Sequence, residues 1–401
     1  MKLQITIILI LFIFQLNAQE NKYINGKENG IWKYYYQNGK LRTIGEFDEG
    51  KKMGKWKTVF KNGKIFEIGE YKKGKKTGIW KKIYKNDNIK EIGQYINGKK
   101  EGVWKYFYEN GKLKSIGKLK NGLRIKIWKK YYKNTKLNSV GKYKKGLQED
   151  EWKYYHRTGE IYKKGTYKSG KKTGTWKAYY QNGDIEILKK YSNGERVGVW
   201  EFYHQNGCLS KKGEYHNSKK IGKWKSFFTN NILELEENYI NGKRSGKWNT
   251  YFLDGKERAI GQYINGLKNG KWLSYSESGK LEWLGEYLND KKTGIWKDFY
   301  TTNGELYSIT DYTNNDIVKY NSYYANGAIQ TIGVYKNNVM IGVWKRFYKN
   351  GNLQSIGKYG KNKAVGIWKF YDKNGKLIDI KKHTNPKDDK IEIYEIDDDQ
   401  N

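Results

Sequence analysis

Tryptophan recurs every 24 residues along almost the whole chain, and this spacing constrains the fold more than any other feature. Only Trp283 lies outside the series. A fixed period of this length is typical of repeat proteins, in which each copy buries its apolar residues against its neighbours. The series consists of Trp32, Trp56, Trp80, Trp104, Trp128, Trp152, Trp176, Trp200, Trp224, Trp248, Trp272, Trp296, Tyr320, Trp344 and Trp368, which we predict to form a structural ladder.

Each repeat has the sequence pattern of a β-hairpin. Counting the tryptophan as position 0, alternating aromatic and polar residues fill positions 0 to 5, as in "WKTVFKNGKIFEIGEYKKGKKTGI" from Trp56 to Ile79. Asn-Gly at positions 6 and 7 predicts a two-residue turn, positions 8 to 15 predict the return strand, and a glycine-rich link leads to the next repeat. We therefore predict an all-β fold, an elongated single-layer array of β-hairpins. At ~4.8 Å per strand and two strands per repeat, fifteen repeats would extend about 140 Å.

The turn prediction fixes which side chains should meet. With a two-residue turn at positions 6 and 7, paired positions add up to 13, so Trp56 should face Gly69 and Tyr71 should face Gly54. Large rings would then cover glycine backbone that has no side chain of its own. By the same rule, position 4 should face position 9. The members of those two sets include Tyr36, Tyr108 and Tyr180, and Leu41, Leu113 and Ile185 respectively.

A second ladder should lie on the opposite face of the sheet, because alternate side chains of a strand point to opposite faces. It consists of isoleucine at position 12, namely Ile44, Ile68, Ile92 and Ile116. Since pairing rules account for the spacing of the rings, we interpret the aromatic residues as mainly structural.

The ends of the chain differ from the repeats. Residues 1–18 have a positively charged start, an apolar run of about ten residues and a small final residue, which predicts a signal peptide cleaved between Ala18 and Gln19. The protein is then exported, to the periplasm, the cell surface or the medium, and no later apolar stretch approaches the ~20 residues of a transmembrane segment. Residues 19–380 form the repeat array, and residues 381–401 form an acidic tail that should cap it.

The link between repeats carries a family resemblance. The segments "GEYKKGKKTGIW" (69–80), "GQYINGKKEGVW" (93–104) and "GEYLNDKKTGIW" (285–296) resemble the MORN repeat, whose core is Gly-Glu-Tyr/Trp followed by Asn-Gly-Lys and a later Gly. With the added "WKYYYQNGK" hairpin, the chain is most similar to the variant MORN family that includes YwqK-type antitoxin components. The resemblance covers roughly residues 20–380. It implies an elongated binding or assembly platform, and the antitoxin members imply neutralisation of a toxin by binding.

The residues that could support chemistry are scattered, so we expect no enzyme, no cofactor and no metal. His204, Cys208 and His216 occupy positions 4, 8 and 16, which the predicted register places on different faces. The two acidic clusters, at residues 149–151 and 234–237, would lie in solvent on an open sheet, whereas catalytic carboxylates need a burying pocket. An irregular segment from Thr301 to Tyr320 has Tyr323 and Tyr324 beside it, and we predict these two tyrosines to be a contact surface.

The charge of the chain has two interpretations: charged links keep the sheet soluble and protect its edges from aggregation, or they bind a negatively charged partner. The formal net charge is +37, and lysine pairs in the links, such as Lys75–Lys76 and Lys99–Lys100, predict a basic ridge along one edge. Lysine dominates over arginine, and this weighs against nucleic acid because lysine lacks the planar fork that reads phosphates and bases.

These observations predict a non-enzymatic, exported scaffold that binds a protein partner, either a toxin or an envelope protein. A competing interpretation is an envelope glycan or anionic-polymer binder, because the aromatic hairpins also resemble choline-binding cell-wall repeats, which hold cations between rings. Whether two copies form a homodimer by pairing their ladders stays open at this point.

Overall fold

The computed structural model describes residues 21–314 and 316–383. Within these ranges the chain forms 33 β-strands, each antiparallel to its neighbours in the pairings seen, and no α-helix. The prediction of an all-β hairpin array with a 24-residue period is confirmed. The predicted signal peptide, its cleavage site at Ala18 and Gln19, and the tail after His383 lie outside the described residues.

The chain divides into two compact units, the N-terminal unit (residues 1–184 and 191–194) and the C-terminal unit (185–190 and 195–401). The strands of the N-terminal unit are β1 Lys22–Ile24, β2 Lys27–Tyr35, β3 Leu41–Asp48, β4 Lys51–Val59, β5 Ile65–Lys72, β6 Lys75–Ile83, β7 Ile89–Ile96, β8 Lys99–Phe107, β9 Leu113–Lys120, β10 Leu123–Tyr131, β11 Leu137–Lys144, β12 Leu147–Tyr155, β13 Ile161–Lys168 and β14 Lys171–Tyr179. Strand β15, Ile185–Ser192, contributes residues to both units.

The C-terminal unit continues the same pattern. Its strands are β16 Glu195–Arg196, β17 Gly198–Tyr203, β18 Leu209–His216, β19 Lys219–Phe227, β20 Leu233–Ile240, β21 Lys243–Tyr251, β22 Glu257–Ile264, β23 Leu267–Lys268, β24 Gly270–Tyr275, β25 Leu281–Leu288, β26 Lys291–Phe299, β27 Leu306–Asp311, β28 Val318–Tyr323, β29 Ile329–Lys336, β30 Val339–Phe347, β31 Leu353–Gly360, β32 Lys363–Tyr371 and β33 Leu377–His383.

The two connections of each repeat are the reverse of those predicted. The link is the tight two-residue turn: Lys73 and Gly74 have φ of 51° and 78° between paired residues Lys72 and Lys75. Two successive positive φ values are the signature of a type I′ turn, whose twist matches that of the strands. The Asn-Gly at positions 6 and 7 instead lies in a five-residue loop, residues 60–64, in which the Phe60 N–H donates to the Lys64 carbonyl at 2.8 Å.

The longer loop changes the pairing next to it. Trp56 pairs with Gly69 and Gly54 with Tyr71, so the predicted sum of 13 is confirmed in the middle of the hairpin. A bulge beside the loop then shifts the register by one residue. Leu41 consequently pairs with Tyr35, and the prediction that it faces Tyr36 was wrong.

A second irregularity follows every tight turn. Ile44 pairs with Lys57 and Glu46 with Met53, so Gly45 alone stands opposite residues 54–56, a bulge of two extra residues. Gly54, at position −2 of its repeat, has φ of +58°, a left-handed conformation that favours glycine. The bulge brings the tryptophan over the neighbouring strand.

The glycine that each indole covers belongs to the preceding repeat. A Cβ built on Gly45 would lie 2.1 Å from the Cδ2 atom of Trp56, and one built on Gly69 would lie 2.2 Å from that of Trp80. The prediction that rings cover glycine is therefore right in kind, but the covered residue lies across the tight turn and not across the longer loop. The same arrangement recurs at Gly93, Gly117, Gly141, Gly165, Gly213, Gly261, Gly285, Gly333 and Gly357.

Candidate functional site

The face of the sheet that carries the tryptophan side chains, here called the ring face, is a continuous aromatic ladder in the regular repeats. The Trp56 and Tyr71 rings lie 5.7 Å apart and the Tyr71 and Trp80 rings 5.1 Å apart, both edge to face. Trp104 is only 1% exposed. Edge-to-face pairs at this distance add to the stabilisation that burial provides.

The indole N–H groups are also used within the fold. Trp56 Nε1 donates to the carbonyls of Met53 and Glu46 at 3.0 and 3.1 Å, both beside the bulge, where backbone pairing is interrupted. Tryptophan thus supplies a further hydrogen-bond donor to backbone carbonyls of both strands beside the bulge. This role explains why position 0 is indole in nearly every repeat.

A basic side chain of the protein itself covers most of these indoles. The residue at position −4 places its cation over the ring, with Lys76 Nζ 3.6 Å from the Trp80 centroid and Lys100 Nζ 3.8 Å from that of Trp104. Similar contacts, at 4.0 to 4.7 Å, join Lys52 to Trp56, Arg124 to Trp128, Lys172 to Trp176, Lys220 to Trp224, Lys268 to Trp272 and Lys292 to Trp296. In choline-binding repeats the cation held between the rings belongs to a ligand. Here lysine and arginine side chains of the chain itself occupy that place.

Two glutamates balance part of this charge. Glu67 accepts from Lys76 at 2.7 Å, Glu91 accepts from Lys100 at 3.0 Å, and Lys82 lies between the two carboxylates. Burial, together with the Glu91 carboxylate, raises the pKa of Tyr95 and of Tyr106 to about 12. Around Trp80 and Trp104, three lysines of the ring face are therefore paired with carboxylates of the same face.

The predicted basic ridge divides between the two faces. Lys76 and Lys100 fold over the ladder and are half-buried, whereas their neighbours Lys75 and Lys99 are exposed beside the tight turns. Because adjacent residues of a strand point to opposite faces, only one lysine of each pair is available to a partner.

The longer loops are tied together by position 4. The Tyr36 hydroxyl donates to the Val59 carbonyl of the next repeat at 2.7 Å, and hydroxyl or imidazole contacts join equivalent positions in other repeats. His204 is one of them, with Nε2 2.9 Å from the Phe227 carbonyl. It replaces a tyrosine in this tie.

The predicted contact residues Tyr323 and Tyr324 are also regular members of this row. The Tyr324 hydroxyl donates to the Phe347 carbonyl, and the Tyr323 carbonyl accepts from Tyr300. Both side chains are half-buried.

Cys208 and His216 do not join His204 in a site. The Cys208 carbonyl accepts the His204 backbone N–H at 2.8 Å within one loop, and His216 is exposed on a strand. Residues 21–314 and 316–383 contain no group of three or more His, Cys, Asp or Glu side chains placed to hold a metal ion.

The acidic cluster at 234–237 contains one buried member, so the prediction that these carboxylates lie in solvent was wrong for Glu237. Glu237 is 2% exposed and occupies position 13, where glycine normally lies under an indole. Arg244 Nε donates to its carboxylate at 2.6 Å and the Tyr239 hydroxyl at 3.1 Å. Trp248 is accordingly less buried than the other indoles at position 0 and lies 5.1 Å from Trp272. The missing glycine is the sequence signal for this interruption.

The side chains of the other acidic cluster, residues 149–151, make ion pairs and a hydrogen bond at the protein surface. Asp150, at position −2 with φ of 58°, pairs with Lys142 at 2.6 Å, and Glu151 pairs with Lys153 at 3.2 Å. Glu149 accepts the Ser169 backbone N–H at 2.7 Å. These contacts fit the interpretation as local surface variation.

A cleft of about 490 Å³ lies where the loop ties change in the C-terminal unit. Phe228 and Phe252 occupy position 4 and have no hydroxyl to donate. Leu253, which is exposed, and Arg258 complete much of the lining.

The opposite face of the sheet, here called the open face, carries positions −1, 1, 12 and 14. In the N-terminal unit it exposes Ile79, Val103 and Ile127 at position −1 of three successive repeats. The lysines at position 1, Lys81, Lys105 and Lys129, are exposed beside them.

A family model, described as MORN repeat variant, matches more than half of the chain. The matched residues are 28–49, 54–73, 76–97, 100–121, 151–169, 172–193, 196–217, 220–241, 268–289, 340–361 and 364–382. The chain belongs to the MORN-repeat family, in its variant form. Three stretches between matched segments depart from the regular repeat. Lys126 replaces glycine at position −2, Thr310 and Tyr320 pair without the usual bulge, and the repeat that follows Glu237 carries the half-buried Trp248.

Other comparisons add little to this MORN assignment. No curated protein matches the chain. Among solved structures, a GtfA/B complex bound to UDP and GlcNAc is 13% identical, with 28% of this chain and 23% of that chain covered and a TM-score of 0.14. TcdB2-TccC3 is 11% identical over 90% of this chain and 22% of that chain, with a TM-score of 0.16. The Photorhabdus luminescens Tc holotoxin pore is 10% identical over 87% and 24%, with a TM-score of 0.13.

This MORN chain spans about a quarter of the length of those structures, and the low TM-scores carry no functional argument. Across the part of the chain that the structure describes, no helix has the length and hydropathy needed to cross a membrane.

Proposed function

We propose that this MORN-repeat protein is a non-enzymatic, exported scaffold that binds a protein partner on the open face of its sheet. The observation that carries the proposal is the closed state of the ring face, where the chain's own lysines lie over the indoles. A ligand that needed those rings would have to displace these cations. Contacts with a partner therefore fall to the open face, where apolar and basic side chains are exposed.

Neutralisation of a toxin is the finer form of this proposal. The resemblance to YwqK-type antitoxin components supports it. Because residues 1–18 have the pattern of a signal peptide, the proposed target is a toxin outside the cytoplasm. The test is co-production with a toxin encoded beside this chain: growth should be rescued by the full chain and lost again when the open face is altered. Rescue by a chain lacking residues 1–18 would indicate that neutralisation takes place before export.

The envelope glycan or anionic-polymer interpretation is the second candidate. The net charge of +37 and the exposed Lys75 and Lys99 favour it, whereas the buried indoles weigh against it because glycan-binding sites present open aromatic rings. Crosslinking of the exported chain should recover a protein at both low and high salt. Retention on isolated envelope polymer that is lost with salt, with no protein crosslinked, would favour the polymer interpretation.

Export can be tested separately. Sequencing the amino terminus of protein recovered from outside the cytoplasm should give Gln19 as the first residue. An Ala18→Arg variant should remain uncleaved, because signal peptidase requires a small residue there. Recovery of an intact amino terminus outside the cytoplasm would contradict cleavage at this site.

A further inference from the structure

The open face of the N-terminal unit carries a stripe of defined composition. Ile79, Val103 and Ile127 occupy position −1 of three successive repeats and are 55%, 47% and 60% exposed. Two strands at ~4.8 Å each separate equivalent positions by about 10 Å, so the three side chains form one row across the strands. Apolar side chains of this size in a regular, exposed row indicate a surface that a partner covers.

A row of lysines runs beside the apolar row. Lys81, Lys105 and Lys129 are exposed, and none of these three ammonium groups pairs with a carboxylate of the described chain. Lys118 adds a further positive charge, because it pairs with Val103 across the strands. This differs from the ring face, where the lysines of the same repeats lie over indoles or beside Glu67 and Glu91.

Position −1 is also apolar and exposed at Val199, Ile295 and Ile367 of the C-terminal unit, but these residues do not occupy three successive repeats. At the same position in three successive repeats of the C-terminal unit the chain has lysine, namely Lys223, Lys247 and Lys271, all exposed. The fold therefore accepts either residue type at position −1. Packing within the sheet does not account for the isoleucine and valine of the stripe.

We propose that the stripe formed by Ile79, Lys81, Val103, Lys105, Ile127 and Lys129 is the docking site for an acidic protein segment that also carries apolar side chains. The proposal rests on the protein-binding function proposed above. Charge complementarity favours this occupant, because unpaired lysines attract carboxylates while the apolar row needs apolar groups to cover it. A second copy of the chain does not fit, since two surfaces with net positive charge repel each other.

Two sets of substitutions separate this occupant from a simple polyanion. The set Ile79→Lys, Val103→Lys and Ile127→Lys removes the apolar row and raises the positive charge, using the residue that the chain itself has at this position in the C-terminal unit. The set Lys81→Glu, Lys105→Glu and Lys129→Glu reverses the charge, and Glu201 already occupies position 1 of another repeat. Both sets should leave the fold intact, which circular dichroism and the melting temperature would check.

A matched control is available for the charge reversal. The set Lys247→Glu, Lys358→Glu and Lys369→Glu changes the net charge by the same amount at exposed lysines on the open face of the C-terminal unit, none of which stands opposite a carboxylate. The full-length chain also receives a photo-crosslinking amino acid at Val103, or at Lys247 as the control site. It is exposed to material exported by the producing cells, and the crosslinked peptides are sequenced by mass spectrometry.

The proposal predicts that crosslinked peptides come from the Val103 site, that acidic residues outnumber basic ones in them, and that apolar residues are present. Both stripe variants should lower the yield by about tenfold or more, as expected for loss of central contacts, and the control set should not. Equal yield from Val103 and Lys247, or peptides without an acidic excess, would overturn the proposal.

The same variants identify the other outcomes. Phosphatidylglycerol vesicles serve as a defined anionic surface: if a membrane or polymer is the true occupant, the lysine set binds more of the vesicles and the glutamate set binds fewer. If a protein partner is recovered but all variants bind it equally, the stripe is not the docking site, while the proposed protein-binding function stands. If the wild-type chain crosslinks to no protein at all, the proposed function itself fails.

Discussion

At the scale of single residues, the tryptophan at position 0 performs three tasks in one repeat. It covers a glycine of the preceding repeat, donates its N–H beside the bulge, and accepts the cation of position −4 on its ring, as seen for Trp80 with Gly69, Thr77 and Lys76. Tyrosine or phenylalanine has no N–H donor at that place and a smaller ring. The covered glycine and the indole therefore form a pair whose members depend on each other.

The pair formed by Thr310 and Tyr320 tests this dependence, because both members of the pair differ there. Thr310 stands where glycine is usual, and Tyr320 stands where tryptophan is usual. We expect Tyr320→Trp alone to destabilise the C-terminal unit by about 1 to 3 kcal/mol through overpacking on the threonine side chain. The double variant with Thr310→Gly should recover at least 1 kcal/mol of that loss, roughly the coupling expected of residues in contact.

Hydrogen exchange of the peptides covering strands β27–β29 would measure both effects. The single variant Thr310→Gly is the control, and it should be mildly destabilising because a buried side chain is lost. Simple addition of the two single effects in the double variant would contradict the coupling.

The raised pKa values of the buried tyrosines predict sensitivity to alkali. The folded pKa of Tyr95 and of Tyr106 is about 12, above the ordinary value of 10.0, because burial disfavours the phenolate. Folding then favours the protonated form. Its contribution is fully present below pH ~10 and is lost as the pH rises towards 12, since over that range the unfolded state binds fewer protons. The denaturant concentration at the unfolding midpoint should therefore fall as the pH is raised from about 9 to about 12.

A double Tyr95→Phe and Tyr106→Phe variant should lose less stability than the wild-type chain over the same pH range. Tyr23→Phe, which removes the hydroxyl of an exposed tyrosine, is the control substitution. A wild-type profile that is flat up to pH ~12 would contradict the assignment.

At the scale of elements, the sequence predicted the strands well and exchanged the two turns. Asn-Gly at positions 6 and 7 is a strong turn signal, but the link turns carry a similar dipeptide, such as Asn97-Gly98. Which one closes in two residues depends on where pairing stops on each side, and the bulge near Leu41 decides that. A bulge is a cooperative feature of two strands, so a single-strand pattern does not reveal it.

The covered glycine was assigned to the wrong neighbour for a related reason. Every inner strand has two neighbours, and the register arithmetic considered only the partner across the longer loop. Trp56 does pair with Gly69 there, yet its indole reaches over Gly45 on the other side. Strand alternation would have separated Lys75 from Lys76 before the structure was known. The burial of Glu237 depends on where a displaced indole packs, which spacing alone does not give.

The bulge at position −2 predicts a stabilising change. Lys126 occupies it with φ of 57°, where most repeats have glycine. Lys126→Gly should stabilise the neighbouring strands by about 1 kcal/mol, because a left-handed conformation is costly for a residue with a Cβ. Hydrogen exchange of strands β9–β11 would report the gain.

Two matched variants frame this measurement. Asp150→Gly should gain less, because aspartate tolerates this conformation better and its ion pair with Lys142 would be lost. Lys129→Gly, on a regular part of the same strand, should destabilise by about 0.5 to 1 kcal/mol. A loss of stability in Lys126→Gly would show that the lysine side chain makes a contact worth more than the strain.

At the scale of the whole molecule, the described strands contact their neighbours in the chain and few others. Stability in such an array is close to a sum over repeats and their interfaces, so damage should remain local. We expect Trp104→Ala, at an indole that is 1% exposed, to cost about 3 to 5 kcal/mol. Protection from hydrogen exchange should fall in strands β7–β10 and remain unchanged in strands β29–β32.

The reciprocal variant Trp344→Ala is the control, with the two regions exchanging behaviour. A uniform loss of protection along the chain in either variant would mean that the repeats unfold as one cooperative body.

The covering of each glycine by a later indole also gives assembly a direction. As the chain leaves the ribosome, residue 45 stays bare only until residue 56 has followed it, and residue 69 only until residue 80. Completed copies then need nothing from the far end of the polypeptide. Such a chain can fold from its N-terminus onwards during synthesis. At any moment only the last, incomplete repeat is then exposed to proteases and chaperones.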